Sequence, residues 1–344
     1  MHNYSFILKV SLKLTKLISN KYFNSGLGMS FQKHENNKKK VALIGCGLIG
    51  QSWAINFLNA GFSVSLFDPM EGVIENAKEK IITKLSDLQD HGLFNNRNIS
   101  GYADEIYLAQ SLSEAIQDSV YIQESGPEDL FIKKELTQQI DNATPENIPI
   151  ASSTSGIPTS LYASNLKGRY RCIVAHPINP PHLIPAVEIV PAPFTSEAIT
   201  QNVKGIILSI DKEPLELKKE IPGFVVNRLQ GALLSEAFNL VKDGISTAED
   251  IDKAISQGLG LRWSFMGPFQ TIHLNAPEGI AGYVERYEKM YREMFNKPDM
   301  DWSSVVKLGL EEELLNLYQL SDREKHEKER DDKLTKLFLH KIKP

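Results

Sequence analysis

The segment from Val41 to Asp68 constrains the fold of this chain more than any other. It consists of an apolar stretch, a turn with three glycines, an amphipathic stretch, and a second apolar stretch that ends in a carboxylate. This is the order of the strand, turn, helix and strand that bind dinucleotides. The first glycine permits the tight turn, the second lets the backbone approach a pyrophosphate, and the third lets the helix pack on the strand. We therefore predict a cofactor site at Gly45, Gly47, Leu48, Ile49 and Gly50.

Asp68 is the carboxylate at the end of this segment, eighteen residues after Gly50. A carboxylate at the tip of the second strand accepts hydrogen bonds from the ribose hydroxyls of the adenosine. The 2′-phosphate of NADP would meet a like charge there. The sequence therefore predicts NAD as the cofactor.

Composition limits the class of protein. A chain of 344 residues with 42% hydrophobic residues can bury two ordinary cores, so we expect two domains. The formal net charge of −5 argues against a nucleic-acid partner. Its two cysteines, Cys46 and Cys172, are expected to be free thiols in a reducing compartment, and we expect no bound metal. No apolar run has the length of a membrane span, so we expect a soluble chain without a membrane partner. The expected location is the cytoplasm.

Residues 1–39 form an extension before the first predicted strand. They are rich in lysine and serine and contain a single acid, Glu35, which would suit a mitochondrial targeting segment, although arginine is absent. Alternatively, Met29 is a second start site. We expect the extension to be disordered or to be a targeting segment. If it is a targeting segment, a mitochondrial location is the alternative.

The rest of the chain alternates between strand and helix patterns up to Pro222. Helices are predicted over 70–90 and from Pro127, and strands over 105–108, 119–123, 148–152, 171–175 and 186–190. Such alternation predicts a Rossmann-type α/β domain with a doubly wound, mainly parallel sheet, which we place at 40–221. After Pro222 only helical periodicity follows, so 222–344 are predicted to form a smaller all-helical domain for the substrate and for dimerisation.

Two residues at the ends of neighbouring predicted strands suit acid–base chemistry. Oxidation of an alcohol needs a base on the hydroxyl, and a histidine held by a carboxylate is the simplest base near neutral pH. His176 and Glu188 lie on either side of one proline-rich loop, so their side chains can converge. Ser155 adds a hydroxyl after the preceding strand, and Asn227 adds an amide from the helix that follows Pro222.

Four short motifs give the chain a specific resemblance. They are Thr154–Ser155, HPINP at 176–180, Val187–Glu188, and PGFVVNR at 222–228. With the Gly-rich segment they resemble the 3-hydroxyacyl-CoA dehydrogenase superfamily over about 41–281. Within it the chain is most similar to the lambda-crystallin and L-gulonate 3-dehydrogenase branch, through IQESGPEDL, IVAHPINPPHLIP, GFVVNRLQ and GLGLRWSFMGPFQTIHLNA.

The resemblance implies roles for individual residues. His176 would be the general base and Glu188 its orienting partner, while Ser155 and Asn227 would hold the substrate oxygen. Glu128 and Lys133 would line the cofactor cleft, and Asn179 of the HPINP loop would contact the substrate. Arg262 stands where fatty-acyl members are apolar, and a guanidinium there suits a free carboxylate.

The function that the resemblance implies is NAD-dependent oxidation of the C3 hydroxyl of a small 3-hydroxy acid, with L-gulonate as the best candidate. Oxidation of a 3-hydroxyacyl-CoA or of carnitine is an alternative within the superfamily. A non-enzymatic alternative is a structural role like that of a lens crystallin. The resemblance also implies a homodimer formed through the helical domain.

Overall fold

The computed structural model describes residues 39–93, 98–297 and 300–342. The extension predicted for residues 1–39 therefore lies outside the described residues except for Lys39. The described residues form two compact units, of which the first ends at Asn227 and the second begins at Arg228. Within the described ranges, no helix combines the length and the apolar character that a membrane span requires.

The first unit is built on one eight-stranded sheet with the order β3-β2-β1-β4-β5-β6-β7-β8. Neighbouring strands run parallel, except that β6 and β7 pair antiparallel. The predicted Rossmann-type, mainly parallel sheet is thereby confirmed. The strands are β1 (Lys40–Ile44), β2 (Ser63–Phe67), β3 (Ile106–Leu108), β4 (Ser119–Glu124), β5 (Ile150–Ser152), β6 (Cys172–Pro177), β7 (Ala186–Pro191) and β8 (Glu213–Glu216).

Helices cover both faces of this sheet because successive side chains of each strand point to opposite faces. On one face Val41 packs with Trp53 and Phe57, and on the other Ile44 packs with Ile140. The helices of this unit are α1 (Leu48–Asn59), α2 (Val73–Asp90), α3 (Ile99–Ala103), α4 (Leu112–Ile116), α5 (Leu130–Ala143), α6 (Thr159–Ala163) and α7 (Glu197–Ser209), with a 3₁₀ turn at Arg169–Arg171.

Helix α5 begins at Leu130, not at Pro127 as predicted. The side chain of Asp129 accepts a hydrogen bond from the backbone N–H of Ile132 at 2.9 Å, so Asp129 is the N-cap. The acids near Pro127 had suggested a first helical turn, but one of them caps the helix instead. As a consequence, Glu128 lies outside the helix and its side chain serves the next loop.

Strand β8 was not predicted. It lies at the edge of the sheet, pairs with β7, and contains Pro214 in a largely exposed sequence of four residues. Edge strands tolerate proline because one side of the strand is unpaired, and a strand with almost no buried side chain needs no alternation of apolar and polar residues. The sequence pattern of this strand therefore carries no strand signal of its own.

The second unit is helical throughout the residues described, as predicted. Helix α8 (Val226–Lys242) starts just before the division between the units. The helices that follow are α9 (Ala248–Lys253), α10 (Gly260–Trp263), α11 (Pro268–Asn275), α12 (Gly279–Met294), α13 (Trp302–Val305), α14 (Glu311–Leu317) and α15 (Arg323–Ile342), with π turns at Ala254–Leu259 and Val306–Leu310 and a 3₁₀ turn at Leu320–Asp322. Its core contains Ile280, Val284, Val306 and Leu314.

Candidate active site

The Gly-rich turn between β1 and α1 has the geometry of a pyrophosphate cradle. Gly45 has a φ of +93°, and a Cβ added there would lie 2.6 Å from the carbonyl oxygen of Ser125. A Cβ added to Gly50 would lie 2.0 Å from the carbonyl oxygen of Gly45. Side chains at these two positions are therefore excluded, whereas nothing described lies within 4 Å of a Cβ on Gly47. The backbone at Gly47 is thus open to an anion at the N-terminus of α1, so the residues present fit NAD.

The two residues between the last glycines differ in exposure. Leu48 begins helix α1 and its side chain is 79% exposed, while Ile49 packs against the core of the first unit. Their backbone N–H groups belong to the first turn of α1, where no side chain caps the helix. Those N–H groups can therefore donate to the cofactor phosphates. Direct binding by Leu48 and Ile49 remains a prediction.

Asp68 follows β2 and is tied to the Gly-rich turn. Its Oδ2 accepts a hydrogen bond from the backbone N–H of Cys46 at 3.0 Å, and its Oδ1 accepts one from that of Met70 at 3.1 Å. These two bonds fix the carboxylate at the end of the strand. Each oxygen keeps a further lone pair for the ribose hydroxyls of NAD.

Cys46 lies in the same turn and is not a reactive thiol. Burial raises the pKa of Cys46 to about 12, and the nearby Asp68 carboxylate adds to the increase. Only a thiolate is a good nucleophile, so this side chain stays protonated and inert near neutral pH. Cys172 is likewise buried and free, and both agree with the expectation of unpaired thiols.

Lys133 and Glu128 are predicted to line the cofactor cleft. In the structure, Lys133 contacts Glu124 at the end of β4, and Glu128 binds the turn after β5. Lys133 is 1% exposed, and its Nζ contacts both carboxylate oxygens of Glu124 at 3.1 and 3.2 Å. Glu128 Oε1 accepts hydrogen bonds from Thr154 Oγ1 at 2.7 Å and from the backbone N–H of Ser155 at 2.9 Å. Lys133 therefore compensates a buried charge, and Glu128 orders the turn that carries Ser155. Contact of either residue with the cofactor remains a prediction.

Glu124 is a site residue that the sequence analysis missed. It ends β4, is 2% exposed, and accepts hydrogen bonds from Ser152 Oγ and from the backbone N–H of Gly126 in addition to the Lys133 contact. A carboxylate in a buried strand must be paired. That rule could have identified Glu124 and its partner Lys133, nine residues later.

His176 and Glu188 form the centre of the site. They face each other directly across the antiparallel pair of β6 and β7, and His176 Nδ1 lies 2.7 Å from Glu188 Oε2. The other carboxylate oxygen accepts hydrogen bonds from the backbone N–H groups of Val225 and Val226 at 2.8 and 3.0 Å. The predicted convergence of the two side chains is therefore observed, and Glu188 also holds the start of helix α8.

The protonation of this pair follows from its hydrogen bonds. Burial tends to raise the pKa of Glu188, but the bonds from His176, Val226 and Val225 outweigh it, and the pKa lies below its usual value. An ionised carboxylate only accepts hydrogen bonds, so Nδ1 of His176 carries a proton. In the neutral imidazole, Nε2 is consequently left with a lone pair that can accept a proton from a substrate.

Ser155 and Asn227 lie beside each other. Asn227 is in the first turn of α8, and its Nδ2 donates to the backbone carbonyl oxygen of Ser155 at 2.6 Å. The backbone N–H of the preceding residue, Val226, donates to Glu188, so the start of α8 connects the His176–Glu188 pair to the Ser155 turn. The first unit thus brings together the four predicted catalytic residues, and their individual roles remain predictions.

Asn179 is exposed on the proline-rich loop between β6 and β7. Helix α1 holds this loop, since Asn56 Nδ2 donates to the carbonyl oxygen of Pro181 at 3.1 Å and Ser52 Oγ lies 3.2 Å from His182 Nδ1. The loop therefore packs against α1, the helix that follows the Gly-rich turn. Substrate contact by Asn179 remains a prediction.

Arg262 lies in the second unit, on α10, and its side chain is half-buried. Among the described residues, no carboxylate forms an ion pair with its guanidinium. Four other arginines of this unit do have carboxylate partners, namely Arg286, Arg292, Arg323 and Arg330. Its role in substrate binding remains a prediction.

The Gly-rich turn, Asp68 and the His176–Glu188 pair define an NAD-dependent dehydrogenase that acts on a CH–OH group. Comparison with known proteins agrees with this assignment. The chain belongs to the 3-hydroxyacyl-CoA dehydrogenase family, because residues 40–221 match the NAD binding domain of that family and residues 223–313 match its C-terminal domain.

Individual relatives support this assignment. The chain is 39% identical to the lambda-crystallin homolog of Homo sapiens over 250 residues, which are 72% of this chain and 78% of the relative. It is 40% identical to L-carnitine dehydrogenase of Oceanobacillus iheyensis over 251 residues, or 73% and 80% of the two chains. The structure resembles that of a 3-hydroxyacyl-CoA dehydrogenase from Archaeoglobus fulgidus with a TM-score of 0.67 and 27% identity, over 88% and 98% of the two chains. The resemblance inferred from the motifs is confirmed.

Proposed function

We propose that this chain oxidises the C3 hydroxyl of a small, free 3-hydroxy acid, and that L-gulonate is its substrate. The proposal is supported by the similarity to a lambda-crystallin homolog and by the residues that differ from fatty-acyl members of the family. The observation that carries it is the half-buried guanidinium of Arg262, for which the described residues provide no carboxylate partner.

The His176–Glu188 pair accounts for the proton transfer. Bound NAD supplies the hydride acceptor. His176 Nε2 takes the proton of the C3 hydroxyl, and the imidazolium that forms is stabilised by Glu188, which lies 2.7 Å from Nδ1. Because the carboxylate is ionised beforehand, it needs no rearrangement as the positive charge develops. Ser155 and Asn227, held beside each other, orient the substrate oxygen.

Arg262 is proposed to bind the carboxylate of the acid. A guanidinium offers two parallel N–H groups to a carboxylate, and leaving a half-buried guanidinium without a partner is costly. A thioester is neutral and offers no such partner. An arginine for which the described residues provide no carboxylate therefore favours a free acid over a 3-hydroxyacyl-CoA.

Substitution of Arg262 tests this proposal. Arg262→Met should lower kcat/KM for L-gulonate by the equivalent of roughly 2–5 kcal/mol, the cost of breaking a desolvated charge pair. The dissociation constant for NAD should not change. Arg262→Lys should recover only part of the activity, because lysine keeps the charge but lacks the planar fork.

The matched control is Arg330→Met, since Arg330 already pairs with Asp331 at 2.8 Å in the same unit. Its kcat/KM should equal that of the wild type. If Arg262→Met retains wild-type kcat/KM on L-gulonate and on other free hydroxy acids, the proposal is wrong and the acyl-CoA alternative replaces it.

Carnitine is a second candidate substrate, favoured by the 40% identity to a protein named L-carnitine dehydrogenase. Carnitine also has a free carboxylate on the carbon chain that bears its C3 hydroxyl, so Arg262 would bind carnitine equally well. The two acids differ at the other end, where carnitine carries a quaternary ammonium and L-gulonate carries hydroxyl groups. Direct comparison of their kcat/KM values distinguishes them.

A further inference from the structure

Strand β4 is followed by Ser125, whose hydroxyl belongs to a network of side-chain hydrogen bonds that the proposed chemistry does not use. At the inner end of this network, Trp53 Nε1 donates to Ser153 Oγ at 3.0 Å. Gln123 Nε2 donates to the same oxygen at 2.7 Å. Ser153 Oγ then lies 2.9 Å from Ser125 Oγ. Ser153 thus joins the indole, the amide and the hydroxyl of Ser125.

The direction of these hydrogen bonds can be deduced. An indole N–H only donates. The orientation of the Gln123 amide is also determined, because its Oε1 accepts from the Tyr121 hydroxyl and its Nε2 faces the carbonyl oxygen of Ala175 at 3.4 Å. Both lone pairs of Ser153 Oγ are therefore occupied. Its single proton must point to Ser125 Oγ, so Ser125 is the acceptor in that bond and keeps its own proton.

The proton of Ser125 has no acceptor within the protein as described. In residues 39–93, 98–297 and 300–342, Ser125 Oγ forms only the bond to Ser153. Its side chain is half-buried, and a half-buried hydroxyl is expected to donate to some partner. The structure therefore leaves one oriented donor at the carboxyl end of β4.

This donor lies beside the pyrophosphate cradle. A Cβ added to Gly50 would lie 3.8 Å from the Cβ of Ser125. A Cβ added to Gly45 would lie 2.6 Å from the carbonyl oxygen of Ser125. In the sheet, β1 lies between β2 and β4. Asp68 follows β2 on the adenosine side, so Ser125 lies on the opposite side of the cradle, where the other half of a dinucleotide extends.

We propose that Ser125 is a cofactor-binding residue whose hydroxyl donates a hydrogen bond to an oxygen on the nicotinamide half of NAD. Ser153 orients this hydroxyl by donating to it, and Trp53 and Gln123 in turn fix Ser153 by donating to Ser153 Oγ. The proposal rests on NAD dependence and not on the identity of the substrate, so it can fail while the proposed function stands.

Calorimetric titration of the full chain with NADH and with AMP tests this role without any measurement of activity. A neutral hydrogen bond contributes about 0.5–1.5 kcal/mol, which corresponds to a roughly three- to tenfold change in a dissociation constant. Ser125→Ala should therefore weaken NADH binding by roughly three- to tenfold. AMP contains only the adenosine half, so its dissociation constant should not change.

Two further variants complete the test. Ser119→Ala is the matched control, because Ser119 lies at the other end of β4 and its hydroxyl bonds the carbonyl oxygen of Ala115 at 3.1 Å. It should bind NADH as the wild type does. Ser125→Cys keeps a weak donor of similar shape and should lie between wild type and Ser125→Ala. An unchanged NADH dissociation constant in Ser125→Ala, or an equal loss of AMP binding, would overturn the proposal.

Discussion

Glu188 uses its two carboxylate oxygens for different tasks. One accepts the Nδ1 proton of His176, and the other accepts two backbone N–H groups at the start of α8. The next residue on that helix is Asn227, whose amide contacts the Ser155 turn. A single buried carboxylate therefore positions both the proposed base and a proposed substrate ligand.

Because Glu188 contributes by orienting His176, substitutions of the two residues should not have additive effects on the rate. His176→Ala should lower kcat by on the order of a hundred- to ten-thousand-fold, as loss of a positioned general base does. The double variant His176→Ala/Glu188→Gln should be barely slower than His176→Ala, since a partner that orients the imidazole has no further effect once the imidazole is gone. Steady-state rates of the two single variants and the double variant provide the cycle. Fully additive losses would show that the residues act independently.

At this scale the sequence predicted the residues whose chemistry is visible in motifs. The positions of His176 near the end of β6, of Glu188 on the neighbouring strand β7 and of Asp68 after β2 were all inferred from strand patterns, although Glu188 lies within its strand and not at its end. Glu124 and Ser125 were not identified, because their importance depends on partners distant in sequence. Lys133, which neutralises Glu124, and Ser153, which orients Ser125, become neighbours only when the strands lie side by side.

An ion pair joins the end of α5 to the 3₁₀ turn that precedes β6. Arg171 Nη2 lies 2.7 Å from Asp141 Oδ1, and the two residues are 4% and 6% exposed. Arg171 also donates to the carbonyl oxygen of Thr144, and Asp141 Oδ2 accepts from the backbone N–H of Gly168 at 3.1 Å. This cluster fixes the loop that leads into the strand carrying His176.

Removal of one partner should destabilise the first unit strongly. Asp141→Ala leaves the guanidinium buried without its carboxylate, which typically costs about 3–5 kcal/mol. Chemical denaturation should show the loss. Glu249→Ala is a suitable control, because its pair with Lys253 is exposed and one helical turn apart, and its denaturation curve should match that of the wild type. A small effect of Asp141→Ala would show that solvent reaches Arg171.

Most elements were predictable from periodicity, and the exceptions have local causes. Helix α5 starts later than predicted because Asp129 caps it, and a single sequence does not distinguish a capping acid from a first-turn acid at that position. Strand β8 was missed because an edge strand can contain proline. The antiparallel pairing of β6 and β7 also depends on the short loop between them, and that pairing places His176 opposite Glu188.

Helix α8 has an apolar side that is exposed. None of its residues is buried, and Leu229, Leu233, Leu234, Phe238 and Val241 are between 38% and 72% exposed. Apolar residues with helical spacing on an exposed face indicate an interaction surface. We propose that a second copy of the chain covers this face in a homodimer.

Substitution on this face tests the dimer. Wild-type protein at micromolar concentration should sediment with twice the monomer mass of 38.6 kDa, and Phe238→Glu should produce monomer. A charge at the centre of an apolar interface cannot be compensated by its symmetric copy. Leu208→Glu changes an exposed leucine of α7, 55% exposed against 72% for Phe238, and should remain dimeric. A monomeric wild type would refute the proposal.

We propose that this dehydrogenase acts on a free 3-hydroxy acid. The most direct measurement is the rate of NADH formation by one preparation of the full chain with L-gulonate, carnitine, 3-hydroxybutyrate and 3-hydroxybutyryl-CoA. His176→Ala serves as the blank. We expect the highest kcat/KM for L-gulonate and little activity with the CoA thioester, because Arg262 would bind the carboxylate of the acid. A higher kcat/KM for 3-hydroxybutyryl-CoA than for every free acid would contradict it.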